Sequence, residues 1–67
     1  NPARDIYIGD HVWLAYDTLV LKGSSIGSGS MVGARSLVNG KFPDNSLIAG
    51  SPAQVVRQGI TWTMDIV

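Results

Sequence analysis

Ile8-Gly9-Asp10-His11-Val12-Trp13, Leu14-Ala15-Tyr16-Asp17-Thr18-Leu19, Val20-Leu21-Lys22-Gly23-Ser24-Ser25, Ile26-Gly27-Ser28-Gly29-Ser30-Met31, Val32-Gly33-Ala34-Arg35-Ser36-Leu37, Val38-Asn39-Gly40-Lys41-Phe42-Pro43: residues 8–43 read as consecutive hexads. Each hexad opens with Ile, Leu or Val, and the next residue is small in four of the six: Gly9, Ala15, Gly27 and Gly33. A fixed short period is the mark of a coil that stacks on itself, and it outranks any local propensity.

The period also predicts which residues face inward. Side chains on a strand change face at every step, so the hexad opener and the residue two before it share the core side. The openers are Ile8, Leu14, Val20, Ile26, Val32 and Val38, and their partners are Ile6, Val12, Thr18, Ser24, Ser30 and Ser36. Three hexads close one triangular turn. Ile8 then stacks on Ile26, Leu14 on Val32 and Val20 on Val38, while Ile6, Val12 and Thr18 cover Ser24, Ser30 and Ser36. Large over small suits a narrow prism. The Gly after the opener is expected to make the corner by taking positive φ. A helical reading fails, because eight glycines would each cost roughly 1 kcal/mol inside helices. The coil's hand is left open by spacing, although crossover statistics favour right-handed connections.

Pro43-Asp44-Asn45 is a turn that ends the period. Ser46-Leu47-Ile48-Ala49-Gly50 reads as one more rung in a shifted register, with Ile48 inward. From Ser51 two readings compete: a short helix over 52–58, capped by Ser51 with Pro52 in its first turn, or an extended segment over 54–57. The apolar tail from Ile60 onward alternates and is expected to fold back on the coil or on another subunit. Residues 1–50 therefore form the coils, and 51–67 an exit segment and tail.

Bulk properties narrow the function. At 67 residues the chain is at most one unit, marginal without staples or partners. It has no cysteine, so disulfides, Cys-ligated metal and thiol catalysis are excluded. Five basic and five acidic residues balance, which favours neither nucleic acid nor an anionic membrane surface. No apolar run reaches the ~18 residues that span a bilayer. The chain opens on Asn1 within the period, so an earlier coil is expected before it.

Ile8-Gly9-Asp10-His11-Val12-Trp13-Leu14-Ala15, Leu21-Lys22-Gly23-Ser24-Ser25-Ile26-Gly27, Met31-Val32-Gly33-Ala34-Arg35-Ser36-Leu37-Val38 and Ile48-Ala49-Gly50-Ser51-Pro52-Ala53 together resemble the C-terminal part of hexapeptide-repeat sugar O-acetyltransferases, such as the galactoside, maltose and capsular- or lipopolysaccharide-sugar enzymes. The resemblance covers residues 4–57. It implies an all-β fold, a left-handed parallel β-helix with a short C-terminal extension. It also implies a homotrimer, a sugar or glycan acceptor, a cytoplasmic setting, and acetyl-CoA as co-substrate in a groove between subunits.

The resemblance implies a set of cofactor-binding residues. Trp13 matches the family's groove tryptophan, and Ala15 the small residue after it. Ala34 matches an alanine whose backbone meets the pantetheine arm. Asn39 stands at a family Thr position. Arg57 matches a basic position near the end of the family's Pro-Ala-Lys-Val-Ile-Arg run and is the best phosphate contact, and Gln54 stands where that run has Lys or Arg. Arg35, in place of a family Gly, reads as a solvated side chain. His11 tempts as a general base, but its hexad place is outward. The family's histidine lies nearer the N-terminus, so the base is expected upstream and no catalytic residue is assigned here. Asp10, Asp17 and Asp44 fall at outward or turn positions without a partner histidine, so no metal site is assigned. A different class stays open: a structural, trimerising solenoid appended to another enzyme, such as a sugar nucleotidyltransferase.

The inward register carries its own test. Val32→Asp is expected to abolish cooperative melting or assembly, since an uncompensated buried charge costs roughly 3–5 kcal/mol. Circular dichroism melts and sedimentation check this, and a folded, fully assembled variant refutes the register.

Overall fold

A computed structural model describes residues 5–63, all strand and turn. β1 (Tyr7–Ile8), β2 (Trp13–Leu14) and β3 (Leu19–Val20) make the first turn of a coil, and β4 (Ser25–Ile26), β5 (Met31–Val32) and β6 (Leu37–Val38) the second. β7 (Lys41–Phe42) and β8 (Ser46–Gly50) begin the third, and β9 (Ala53–Gln58) closes the edge. Three parallel sheets result: β1-β4-β7, β2-β5-β8 with β9 added antiparallel, and β3-β6. Strands of two residues cannot stand alone. Each is held by the coil beyond it, through ladders such as Gly9 N–H to Ile26 C=O at 2.9 Å and Ala15 N–H to Val32 C=O at 3.0 Å.

The register of the first two turns is the one the hexads predict: Ile8 on Ile26, Leu14 on Val32, Val20 on Val38. The core is Ile26, Val32, Val38, Ile48 and Ala53, with Val12, Val20 and Phe42 packed against it. Ile8 and Leu14, in the first described turn, are each 41% exposed.

The sixth hexad does not survive. β6 ends at Val38 and β7 starts at Lys41, so Phe42 takes the opener's place over Ile26, a step of 16 residues instead of 18. The period breaks at Asn39-Gly40, before the Pro43 turn. Gly40 is the residue that allows this, with φ of 126°. Ile48 then lies over Val32, inward as expected.

The glycines that follow the openers do not make the corners. Positive φ falls instead at the fourth hexad place: His11, Asp17, Gly23, Gly29 and Arg35, and again at Asn45 after Phe42. His, Asp and Asn tolerate that region better than most residues, and Arg35 is the exception. Gly9 and Gly27 are small for another reason. A Cβ on Gly9 would stand 2.6 Å from the Ser28 nitrogen, and one on Gly27 would collide with Asp44. They let one coil lie on the next.

The second inward column does more than save volume. Ser24, Ser30 and Ser36 are buried, and each hydroxyl accepts from a backbone N–H of the next turn: Gly40 at 3.1 Å, Ser46 at 3.1 Å and Gly50 at 3.2 Å. Each also donates, to Val38, Pro43 and Gly33 carbonyls respectively. Buried polar groups are thereby satisfied.

After the Ser51-Pro52 turn, whose peptide bond is cis, the chain takes the extended alternative and the 52–58 helix does not form. Val55 and Val56 suit a strand, and β8 offers a free edge. The tail does fold back on its own coil: the Ile60 N–H donates to Asn45 C=O at 2.9 Å. Residues 64–67, the end of that tail, lie outside the described residues.

Gly27→Ala is expected to destabilise the chain by about 1–3 kcal/mol, the usual cost of overpacking, because the Cβ meets backbone that cannot rotate away. Chemical denaturation measures it. An unchanged midpoint would show that the coils are not stacked this closely.

Candidate functional site

The outer face of the β2-β5-β8-β9 sheet collects most of the residues singled out in the sequence. Leu14, Val32 and Ile48 point inward, so their neighbours Trp13, Met31 and Leu47 point outward. The pairings place Trp13 beside Met31, Met31 beside Leu47 and Leu47 beside Arg57. Trp13 and Arg57 therefore end one straight row three strand spacings long, about 14 Å.

A second row runs alongside it. Ala15 lies over Gly33 and Gly33 over Ala49, which pairs with Gln54. A Cβ on Gly33 would reach 3.3 Å from that of Ala49, so this row is a track of minimal side chains with the backbone close to its surface. Ala34 stands at the adjoining corner, where the Arg35 N–H donates to Tyr16 C=O at 2.9 Å. Trp13 and Ala15 are partly buried, whereas Ala34, Gln54 and Arg57 are exposed.

These five residues share one side of the prism. Asn39 does not join them. It follows β6 and leads into Gly40, at the corner between the β3-β6 and β1-β4-β7 sheets. No enclosed pocket forms among the described residues, so the strip is an open surface with a single wall.

His11 sits at the corner before β2, exposed, as its hexad place predicts. Its ring stacks on Trp62 at 3.9 Å and 11° between planes. Trp62 in turn meets Trp13 edge-on, at 5.7 Å and 86°. Sequence reasoning missed Trp62 as a neighbour of the strip. The only available signal was a tryptophan in an alternating tail, which does not identify a partner. Arg35 is exposed at its corner. The Asp44 carboxylate accepts from the Ser28 N–H at 2.9 Å and so serves the corner. Among the described residues no three of His, Cys, Asp and Glu gather as metal ligands.

No family model matches the chain. Individual proteins do. WbbJ of Escherichia coli K12, named as a lipopolysaccharide biosynthesis O-acetyl transferase, is 45% identical over 53 residues, 79% of this chain and 27% of WbbJ. The crystal structure of the polySia-specific acetyltransferase NeuO superposes on 97% of this chain with a TM-score of 0.92 and 37% identity, over 28% of its own length. A hexapeptide-repeat acetyltransferase of Vibrio cholerae, solved with acetyl-CoA, superposes on 82% of this chain with a TM-score of 0.80 and 36% identity, over 30% of its own length. The chain thus spans about three tenths of the length of each. Agreement at this level in sequence and in coil geometry shows that the chain is similar to hexapeptide-repeat sugar O-acetyltransferases over most of its own length, and its prism is the left-handed parallel β-helix those proteins have.

Proposed function

We propose that this chain supplies the cofactor half of an acetyl-CoA-dependent O-acetyltransferase that acts on a hydroxyl of a sugar or glycan. One observation carries the reading: the straight outward strip, with an indole at one end, an arginine at the other and minimal side chains along one edge. A long flexible thioester arm needs a track on which backbone amides are reachable. The Ala15-Gly33-Ala49 row provides it, and Ala34 borders it. Trp13 walls the thioester end. Arg57 meets the phosphates at the far end, where a guanidinium binds oxyanions in fixed geometry, and Gln54 adds a neutral polar contact beside it. The relatives support this reading: WbbJ and NeuO are named for acetyl transfer, and the Vibrio cholerae protein was solved with acetyl-CoA.

In the reaction the acceptor hydroxyl oxygen attacks the thioester carbonyl while a general base takes its proton. The tetrahedral oxyanion is held by N–H donors. Its collapse breaks the C–S bond, and the departing sulfur recovers the proton, giving an acetyl ester and free CoA. None of the six residues is a base, and the His11 Nε2 is engaged by the Trp62 carbonyl, so we assign proton abstraction to a group upstream of this chain.

The split between five residues on one side and Asn39 on another supports a site shared between copies. A neighbouring prism would bring its Asn39 corner against the strip of the first and supply the second wall. Heterologous contacts of this kind close into rings, and the ring proposed here is a homotrimer. A cytoplasmic setting is part of the same proposal, since it would put the enzyme where acetyl-CoA is drawn on.

Arg57→Ala is expected to weaken acetyl-CoA at least about tenfold, as loss of a charge-assisted hydrogen bond predicts, with the melting temperature held. Unchanged calorimetric affinity would remove the phosphate role. Sedimentation equilibrium is expected to return three protomer masses, and a monomer at micromolar concentration would sink the shared site.

A further inference from the structure

Residues 59–63 form no strand or helix, yet they are tied to three successive turns of the coil. The Ile60 N–H donates to Asn45 C=O at 2.9 Å. The Trp62 indole N–H donates to Gly29 C=O at 3.2 Å. His11 Nε2 donates to Trp62 C=O at 2.8 Å. Asn45, Gly29 and His11 are the positive-φ residues of one corner, one in each turn. The tail therefore runs along the prism edge, across the strands, from the last described turn back to the first. Its described part reaches the outward strip, where the Trp62 ring is clamped between the His11 face at 3.9 Å and the edge-on Trp13 at 5.7 Å.

We propose that this strap is a positioning element for the cofactor groove, with Trp62, held by His11, fixing the rotamer of Trp13. The inference rests on the reading of Trp13 as a groove wall and deepens it. On the strand itself Trp13 is paired with Met31, and an outward indole has more than one staggered rotamer to choose from. Trp62 removes that freedom. Its own position is set by its indole N–H, its carbonyl and its stacked face, so it is a rigid surface. A wall held in its bound orientation before the ligand arrives avoids the ordering cost at binding. The strap thus links the C-terminal tail to the donor end of the site without touching the substrate.

The test compares Trp62→Ala, Trp62→Phe, His11→Ala and Trp13→Ala in the full protein. Acetyl-CoA affinity is read by calorimetry, the kcat and KM split by kinetics, and the Trp13 ring by its indole N–H NMR signal. Trp62→Ala and His11→Ala are expected to weaken acetyl-CoA about three- to tenfold, the scale of one aromatic pair. The change falls on KM more than on kcat, and the Trp13 signal shifts or broadens. Trp62→Phe keeps the stack and the edge contact and restores affinity. If Trp62→Ala leaves affinity and the Trp13 signal unchanged while Trp13→Ala weakens binding, the positioning role is overturned and the groove stands. If Trp13→Ala also leaves affinity unchanged, the groove reading falls and takes this one with it. Should Trp62→Ala lose cooperative melting, His11→Ala, which keeps the indole bond to Gly29, decides between the same outcomes.

Discussion

The hydroxyls of Ser24, Ser30 and Ser36 sit inside the prism, and each receives an N–H from the turn that follows. A coil of two-residue strands leaves many backbone groups pointing at corners, where no ladder partner lies in line. Buried and unpaired, each such group would cost roughly 1–3 kcal/mol. Serine answers them with the least volume, and it leaves the other column free for Ile26, Val32, Val38 and Ile48. The same hydroxyls admit the short third turn. Because a Ser oxygen can reach an N–H without an exact strand pairing, the step from Ile26 to Phe42 can be 16 residues while the core stays filled.

With the interior committed in this way, only outward positions are free to carry chemistry. Strand alternation divides every rung between the two tasks. Val32 and Ile48 build the core, with Leu14 in line with them on the inward side, and their neighbours Trp13, Met31 and Leu47 line a surface whose straightness follows from stacking at constant rise. β9 extends that surface by one strand and brings Arg57 and Gln54 into the two rows. The exit segment is thus part of the same face as the coils, and its antiparallel pairing covers an edge that would otherwise recruit other chains.

The period made the core legible. Ile8 on Ile26, Leu14 on Val32 and Val20 on Val38 follow from counting, because the side-chain period of a strand leaves no freedom once a corner length is chosen. Counting failed at Val38-Asn39-Gly40, where the hexad continues formally but Phe42 fills the inward place. Nothing in a six-residue repeat distinguishes a Gly that permits a shortcut from one that lets coils touch. The same ambiguity hid the corner residues. Gly9 and Gly27 looked like turns and are contact points, while His11 and Asp17 looked like surface and adopt the left-handed backbone. The local residue type fits both readings, and only the neighbouring coil, 16 or 18 residues away, decides.

The tail shows the limit most sharply. Alternation in residues 60–63 describes a strand, but no sheet edge receives them. They lie across the strands instead, because one corner offers a carbonyl in each of two turns and an imidazole in the third. A corner residue in the left-handed region turns its side chain clear of the sheet, which is why His11 can stack on Trp62 and still leave Val12 packed on the core. The aromatic group at that edge is therefore a consequence of corner geometry. The fold spends its interior on stacking, and the corner is the place where a distant part of the chain can act on the outward face without disturbing it.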